Sequence, residues 1–170
     1  GKREDPRDVL VTADRRTLAQ LAPQSRLGTS SPRRLAQVRA LRPDIEILAV
    51  RGNVGTRIRK AQQGELEGVV LAAAGMVRLG LQDQIAEYLD PAVCLPAVGQ
   101  GVLAVEVRAG DQRTAAIVSA VDHHETHVAV VAESAVLKRL GGGCRTPIAA
   151  YAVIEGGRGG EGGVIHIMGL

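Results

Sequence analysis

Short apolar runs alternate with stretches of helical period through the first hundred residues. Leu27 closes a short extended segment, and Ser31 followed by Pro32 makes an N-cap and first-turn pair. The helix opened there puts Leu35, Val38 and Leu41 on one face and stops before Pro43. Residues 45–50 read as a strand, 56–63 as a short helix ended by Gly64, and 69–74 as a buried strand of small and β-branched residues. Short helices are expected at 76–79 and 82–89. This βαβα order predicts an α/β fold, a mostly parallel sheet with covering helices.

The motif Leu95-Pro96-Ala97-Val98-Gly99-Gln100-Gly101 interrupts that rhythm and suggests a crossover or hinge. A strand is expected at 102–107 and a helix at 111–121. Asp122 and Glu125 read as a capping box for a longer helix carrying Val128, Val131, Ala132, Ala135 and Leu140, ended by Gly141 to Gly143. Strand-like runs at 148–154 and 164–168, joined by the glycine-rich 156–163, predict a hairpin, the start of a small α+β unit. Two strands are marginally stable alone, so this end reads as cut short.

Composition narrows the class. The 170 residues are 45% hydrophobic and 23% charged, as in a globular domain. No apolar run approaches the ~20 residues of a membrane span. The first eight residues have no apolar core of the kind a secretory signal needs, so the cytoplasm is the expected location. Cys94 and Cys144 form no CxxC pair, which argues against a disulfide scaffold or structural zinc. The net charge is +3, yet 18 Arg stand against 3 Lys. A GC-rich genome explains much of that excess, but not the clustering of arginine at glycine turns. Phe and Trp are absent and Tyr88 and Tyr151 are the only aromatics, which disfavours nucleic acid, since single-strand binders stack bases on aromatic rings.

The turns themselves carry the chemistry. Gly28-Thr29-Ser30-Ser31-Pro32-Arg33-Arg34 and Arg51-Gly52-Asn53-Val54-Gly55-Thr56-Arg57 each join open backbone N–H groups at a helix start to a guanidinium fork suited to carboxylate or phosphate. They are expected to form one anion pocket. Thr29, Ser30 and Ser31 lack a Gly-x-Ser-x-Gly elbow and read as anion ligands and caps. The second turn is neither a Walker loop nor a GxGxxG fingerprint. Arg78 follows the strand at 69–74, where open α/β sheets place ligands, whereas Arg39, Arg42, Arg59 and Arg113 read as solvated helix charges. Cys144 sits between three glycines and Arg145, so it reads either as an accessible thiol with favoured thiolate or as a small residue filling a helix end. His123, His124 and His127 do not make HExxH and read as a polar helix start; no metal site is expected.

These two turns, together with Arg3-Glu4-Asp5-Pro6-Arg7-Asp8, the 95–101 motif, His123-His124-Glu125-Thr126 and Gly142-Gly143-Cys144, resemble the porphobilinogen deaminase (hydroxymethylbilane synthase) family in order and spacing. The resemblance implies a three-domain, monomeric transferase of tetrapyrrole and heme synthesis. It would join four porphobilinogens into hydroxymethylbilane, releasing ammonia, on a dipyrromethane cofactor held by a thioether to Cys144. It further implies cofactor contacts from Thr29, Ser30, Ser31, Arg33 and Arg34, substrate contacts from Arg51, Gly52, Asn53, Arg57 and Arg78, and an interdomain crossing at Gln100 and Gly101. The segments would be a linker at 1–6, a periplasmic-binding-protein-like domain 2 at 7–95, a returning piece of domain 1 at 96–121 and the start of domain 3 at 122–170. The family's catalytic aspartate has no match; Asp5 and Asp8 belong to another motif. Ser134 stands where the family favours arginine. The chain is therefore expected to be an inactive fragment, with a non-catalytic carboxylate-binding module as the alternative.

Overall fold

The structure, a computed structural model, describes residues 1–143, 146–156 and 163–170. Strands β1 (Asp8–Thr12), β2 (Arg26–Gly28), β3 (Glu46–Leu48), β4 (Gly68–Ala72) and β5 (Glu87–Leu89) form one sheet in the order β3-β2-β4-β1-β5. β2 runs parallel to β3 and β4, while β1 lies antiparallel between β4 and β5. Four of the five strands thus share one direction, the mostly parallel sheet that the sequence pattern predicts. The fifth, β1, is buried at every position. Its side chains alternate between two cores. Val9 and Val11 join Ile58, Ala61, Val69 and Met76 on one face, and Leu10 joins Leu27, Val38, Val70 and Leu89 on the other.

Helix α1 (Pro32–Leu41) follows β2 and α2 (Val54–Gln62) follows β3. The chain steps outward from β2 to β3, then back past β2 to β4, so the two crossovers cover opposite faces of the sheet. Val38 of α1 accordingly enters one core and Ile58 of α2 the other. Against expectation, Leu41 is exposed, and α1 turns Arg33, Arg34 and Val38 inward. α3 (Ala73–Arg78) follows β4 directly.

Residues 82–89 depart from the expected helix. A single 3-10 turn, Gln82–Gln84, leads into β5, because the free edge of β1 captures the chain: Ala86 N–H donates to the Leu10 carbonyl at 2.9 Å. Tertiary pairing there overrides local pattern. Residues 102–107 likewise form no strand. They find no pairing partner among the described residues and leave Leu103 and Val105 exposed.

α4 (Gln112–Ser119) and α5 (His124–Leu140) follow. α5 is capped by His123 rather than Asp122, with its Nδ1 accepting from Thr126 N–H at 3.3 Å. Gly141 ends the helix at φ 65°, the left-handed conformation that glycine adopts without a Cβ penalty. β6 (Ala150–Glu155) and β7 (Val164–Gly169) pair antiparallel over six residues, the expected hairpin, and β6 packs on α5.

Two chain passes link this hairpin unit to the five-stranded sheet. Glu4 N–H donates to the Gly101 carbonyl at 2.9 Å. Gly101 has φ 83°, and a Cβ there would stand 2.5 Å from the Glu4 carbonyl oxygen, so only glycine lets the two passes touch.

Candidate functional site

The turn between β2 and α1 is held by its own side chains. Thr29 Oγ1 accepts from Ser31 N–H at 3.2 Å, and Ser31 Oγ accepts from Arg34 N–H at 3.4 Å as the N-cap. Ser30 Oγ donates to the Val50 carbonyl at 2.6 Å, pinning the turn to the chain leaving β3. The N–H groups of Ser30 and Arg33 have no acceptor among the described residues, which leaves donors open at the helix start.

Behind this turn lies a residue that the sequence reading passed over. Asp8, fully buried at the start of β1, meets both arginines: Arg33 Nη1 donates to Oδ2 at 2.6 Å, and Arg34 donates to Oδ1 through Nη2 at 2.7 Å and Nε at 3.0 Å. Gln100 completes the cluster. Its Nε2 donates to Asp8 Oδ1 at 2.8 Å and to the Pro6 carbonyl at 2.6 Å, while its Oε1 accepts from Arg33 Nη2 at 3.2 Å. Arg33 Nη1 also donates to the Leu95 carbonyl at 2.6 Å and Arg34 Nη1 to that of Val70 at 3.2 Å. The signal in the sequence was a lone carboxylate opening the apolar run Val9-Leu10-Val11, where only a paired charge survives burial.

Burial alone would raise the Asp8 carboxyl pKa. The charges of Arg34 and Arg33, with their hydrogen bonds, outweigh it and hold the group below the ordinary aspartate value. The Cys94 thiol donates to Asp8 Oδ2 at 3.3 Å, and burial followed by the Asp8 charge pushes its pKa up to about 12. Cys94 is therefore an inert core thiol.

Two cavities adjoin the turn. The larger, about 580 Å³, is lined by Thr29, Ser30, Ser31 and Arg51 with the apolar Leu35 and Ile47. The smaller, about 160 Å³, is lined by Ser31 and Arg33 on one side and by Gly143 and Thr146 on the other. Cys144, which the resemblance makes the cofactor anchor, and Arg145 lie outside the described residues; Gly143 and Thr146, which bracket them in sequence, line this cavity.

The second turn divides. Arg51 is exposed, makes no side-chain hydrogen bond among the described residues and faces the larger cavity. Arg57 stands on α2, over the opposite face of the sheet from α1, where its Nε donates to the Gly52 carbonyl at 2.8 Å. Gly52 and Asn53 shape that helix start, with Asn53 Oδ1 accepting from Thr56 N–H at 2.9 Å. None of these three lines the two cavities, whereas Arg51 lines the larger one. α2 and α1 cover opposite faces of the sheet because the crossover direction reverses after β3. Arg78 is exposed on the last turn of α3. His123 is spent as a cap, and among the described residues no group of three His, Cys, Asp or Glu is placed to hold a metal.

Residues 1–116 match the family model described as "Porphobilinogen deaminase, dipyromethane cofactor binding domain", and residues 127–170 match "Porphobilinogen deaminase, C-terminal domain". The chain belongs to the porphobilinogen deaminase family. It is 51% identical over 155 residues to a porphobilinogen deaminase of Roseiflexus castenholzii, covering 91% of this chain and 51% of that one. Against that of Syntrophotalea carbinolica it is 53% identical over 152 residues, 89% of this chain and 48% of the relative. Against that of Syntrophomonas wolfei it is 46% identical over 169 residues, 99% and 53%. The chain spans about half the length of the curated relatives it matches.

For a porphobilinogen deaminase family chain the relevant cofactor is a dipyrromethane, two pyrrole rings carrying acetate and propionate groups. The donors present suit it: open N–H groups at Ser30 and Arg33, the uncommitted Arg51, and an apolar wall of Leu35 and Ile47 for ring faces.

Proposed function

We propose that this chain serves the porphobilinogen deaminase reaction as part of a longer protein, which condenses four porphobilinogens into hydroxymethylbilane with loss of ammonia, and that the chain alone is inactive. The observation that carries this reading is the cavity where Ser31 and Arg33 face Gly143 and Thr146, the residues bracketing Cys144. It supports Cys144 as the thioether anchor of a dipyrromethane whose carboxylates rest against the turn before α1. The bound primer supplies an electron-rich pyrrole end to which the next ring is joined.

The described residues bind and orient. Ser31, Thr29 and Ser30 shape the donor turn, and Arg33 and Arg51 present charge to carboxylates. Arg34, Arg57, Arg78, Gly52 and Asn53 complete the assignment on the resemblance to the family; Arg57 and Arg78 would meet substrate outside the two cavities. Asp8 does not serve as a proton donor, because two arginines hold it ionised. Glu133 spends both oxygens on Arg3, Gly99 and Ala152. The two-faced sheet supports residues 7–95 as a domain built like half of a periplasmic binding protein. No described helix is long and apolar enough to cross a membrane.

Intact-mass measurement of the natural full protein tests the proposal. A two-pyrrole adduct mapped to Cys144 is the expected result, together with bilane formation from porphobilinogen. An unmodified Cys144 in active protein would overturn it.

A further inference from the structure

We infer that Asp8 and Gln100 act as a pair of positioning residues that fix the direction of the Arg33 guanidinium. The inference rests on the carboxylate-binding role proposed above for Arg33. Three observations carry it. Asp8 is fully buried and makes ion pairs with both arginines at 2.6 and 2.7 Å, so neither side chain can rotate without stranding a buried charge. Gln100 touches Asp8, Arg33 and the Pro6 carbonyl at once, so it fixes the second Nη of Arg33 with respect to the chain crossing. Arg33 Nε has no acceptor among the described residues, and Arg33 lines the smaller cavity. That edge is what remains for a ligand at the cavity shared with Ser31, Gly143 and Thr146.

The arrangement also sets charge. Two adjacent arginines would present two positive charges to any carboxylate, and Asp8 cancels one. The site then holds an anion through a single oriented fork, and orientation is what a guanidinium adds over a point charge.

Asp8→Asn and Gln100→Met, made in the natural full protein, test this with guanidinium Nε–H resonances in ¹H–¹⁵N spectra, intact mass and turnover. In Asp8→Asn the Arg34 Nε–H loses its protection against exchange and the Arg33 signal shifts. Dipyrromethane loading falls, and turnover drops by roughly 10²-fold, as for misplacement of a reacting partner by about 1 Å. Gln100→Met keeps the Asp8 charge, shifts the Arg33 signal and lowers loading while leaving the Arg34 signal in place. A folded variant of either kind with the parent's guanidinium spectrum, loading and turnover overturns the inference. Should Asp8→Asn not fold, Gln100→Met decides alone on the same terms. A parent protein without adduct or turnover would overturn the proposed function instead, while the resonances of the three proteins would still report on positioning.

Discussion

Glu133, fully buried in the middle of α5, places Oε1 2.5 Å from Nη1 of Arg3, a residue 130 positions earlier. The same carboxylate accepts from Gly99 N–H at 2.7 Å and Ala152 N–H at 2.9 Å. One side chain thus ties the first chain pass, the second pass and the hairpin to α5. Arg3 also lies over the Tyr151 ring, 5.1 Å from its centroid.

Glu133→Ala is expected to destabilise the protein by about 3–5 kcal/mol, the usual loss when one partner of a buried ion pair is removed. Chemical denaturation of parent and variant checks this. A loss below about 1 kcal/mol, typical of an exposed pair, would show that Glu133 is not the tie described.

Asp8 makes stability fall in acid. Its folded pKa lies below the unfolded value of about 3.9, so its contribution is fully present above that pH. It is lost as pH falls through the lowered folded pKa. Unfolding free energy measured from pH 6 downward is expected to decline more steeply in the parent than in a folded Asp8→Asn variant.

Cys94 should resist alkylation in the folded state at pH 8, since its thiol is buried and its pKa stands near 12. The folded pKa is raised, so the unfolded chain ionises first and stability falls as pH rises through the range between. Iodoacetamide labelling followed by peptide mapping checks the first point: Cys94 is modified only after denaturation. Rapid labelling of native protein would contradict the packing around Asp8.

The purified 170-residue chain should form no bilane from porphobilinogen. Loss of ammonia needs proton delivery to the leaving amine, worth 10²–10⁴-fold in rate. The two carboxylates buried beside the site are both committed to arginine. Measured turnover by this chain would require another acid among its residues.

How much of this was legible in the sequence differs by element. α1, α2, β4 and the hairpin follow from caps, glycine stops and β-branched runs. β1 escaped because a strand buried on both faces shows no alternation and is short. β5 escaped because its strand state depends on the open edge of β1, a contact between distant residues. The glycine turns were legible as capped helix starts flanked by arginine. Their division between two faces of the sheet was not, because the reversal of crossover direction after β3 is a property of topology. Asp8 was visible but unweighted: it looked like one more charge of the Arg3–Asp8 motif.

The contact between Glu4 and Gly101 makes the two chain passes a single ribbon. Two separate tethers would let the hairpin unit splay from the sheet and twist about it independently. Joined by a backbone hydrogen bond, with Gln100 gripping Pro6 beside it, they can bend together far more readily than they can part. A substitution at Gly101 would therefore loosen both passes at once, because the Cβ it adds meets the Glu4 carbonyl that holds them together.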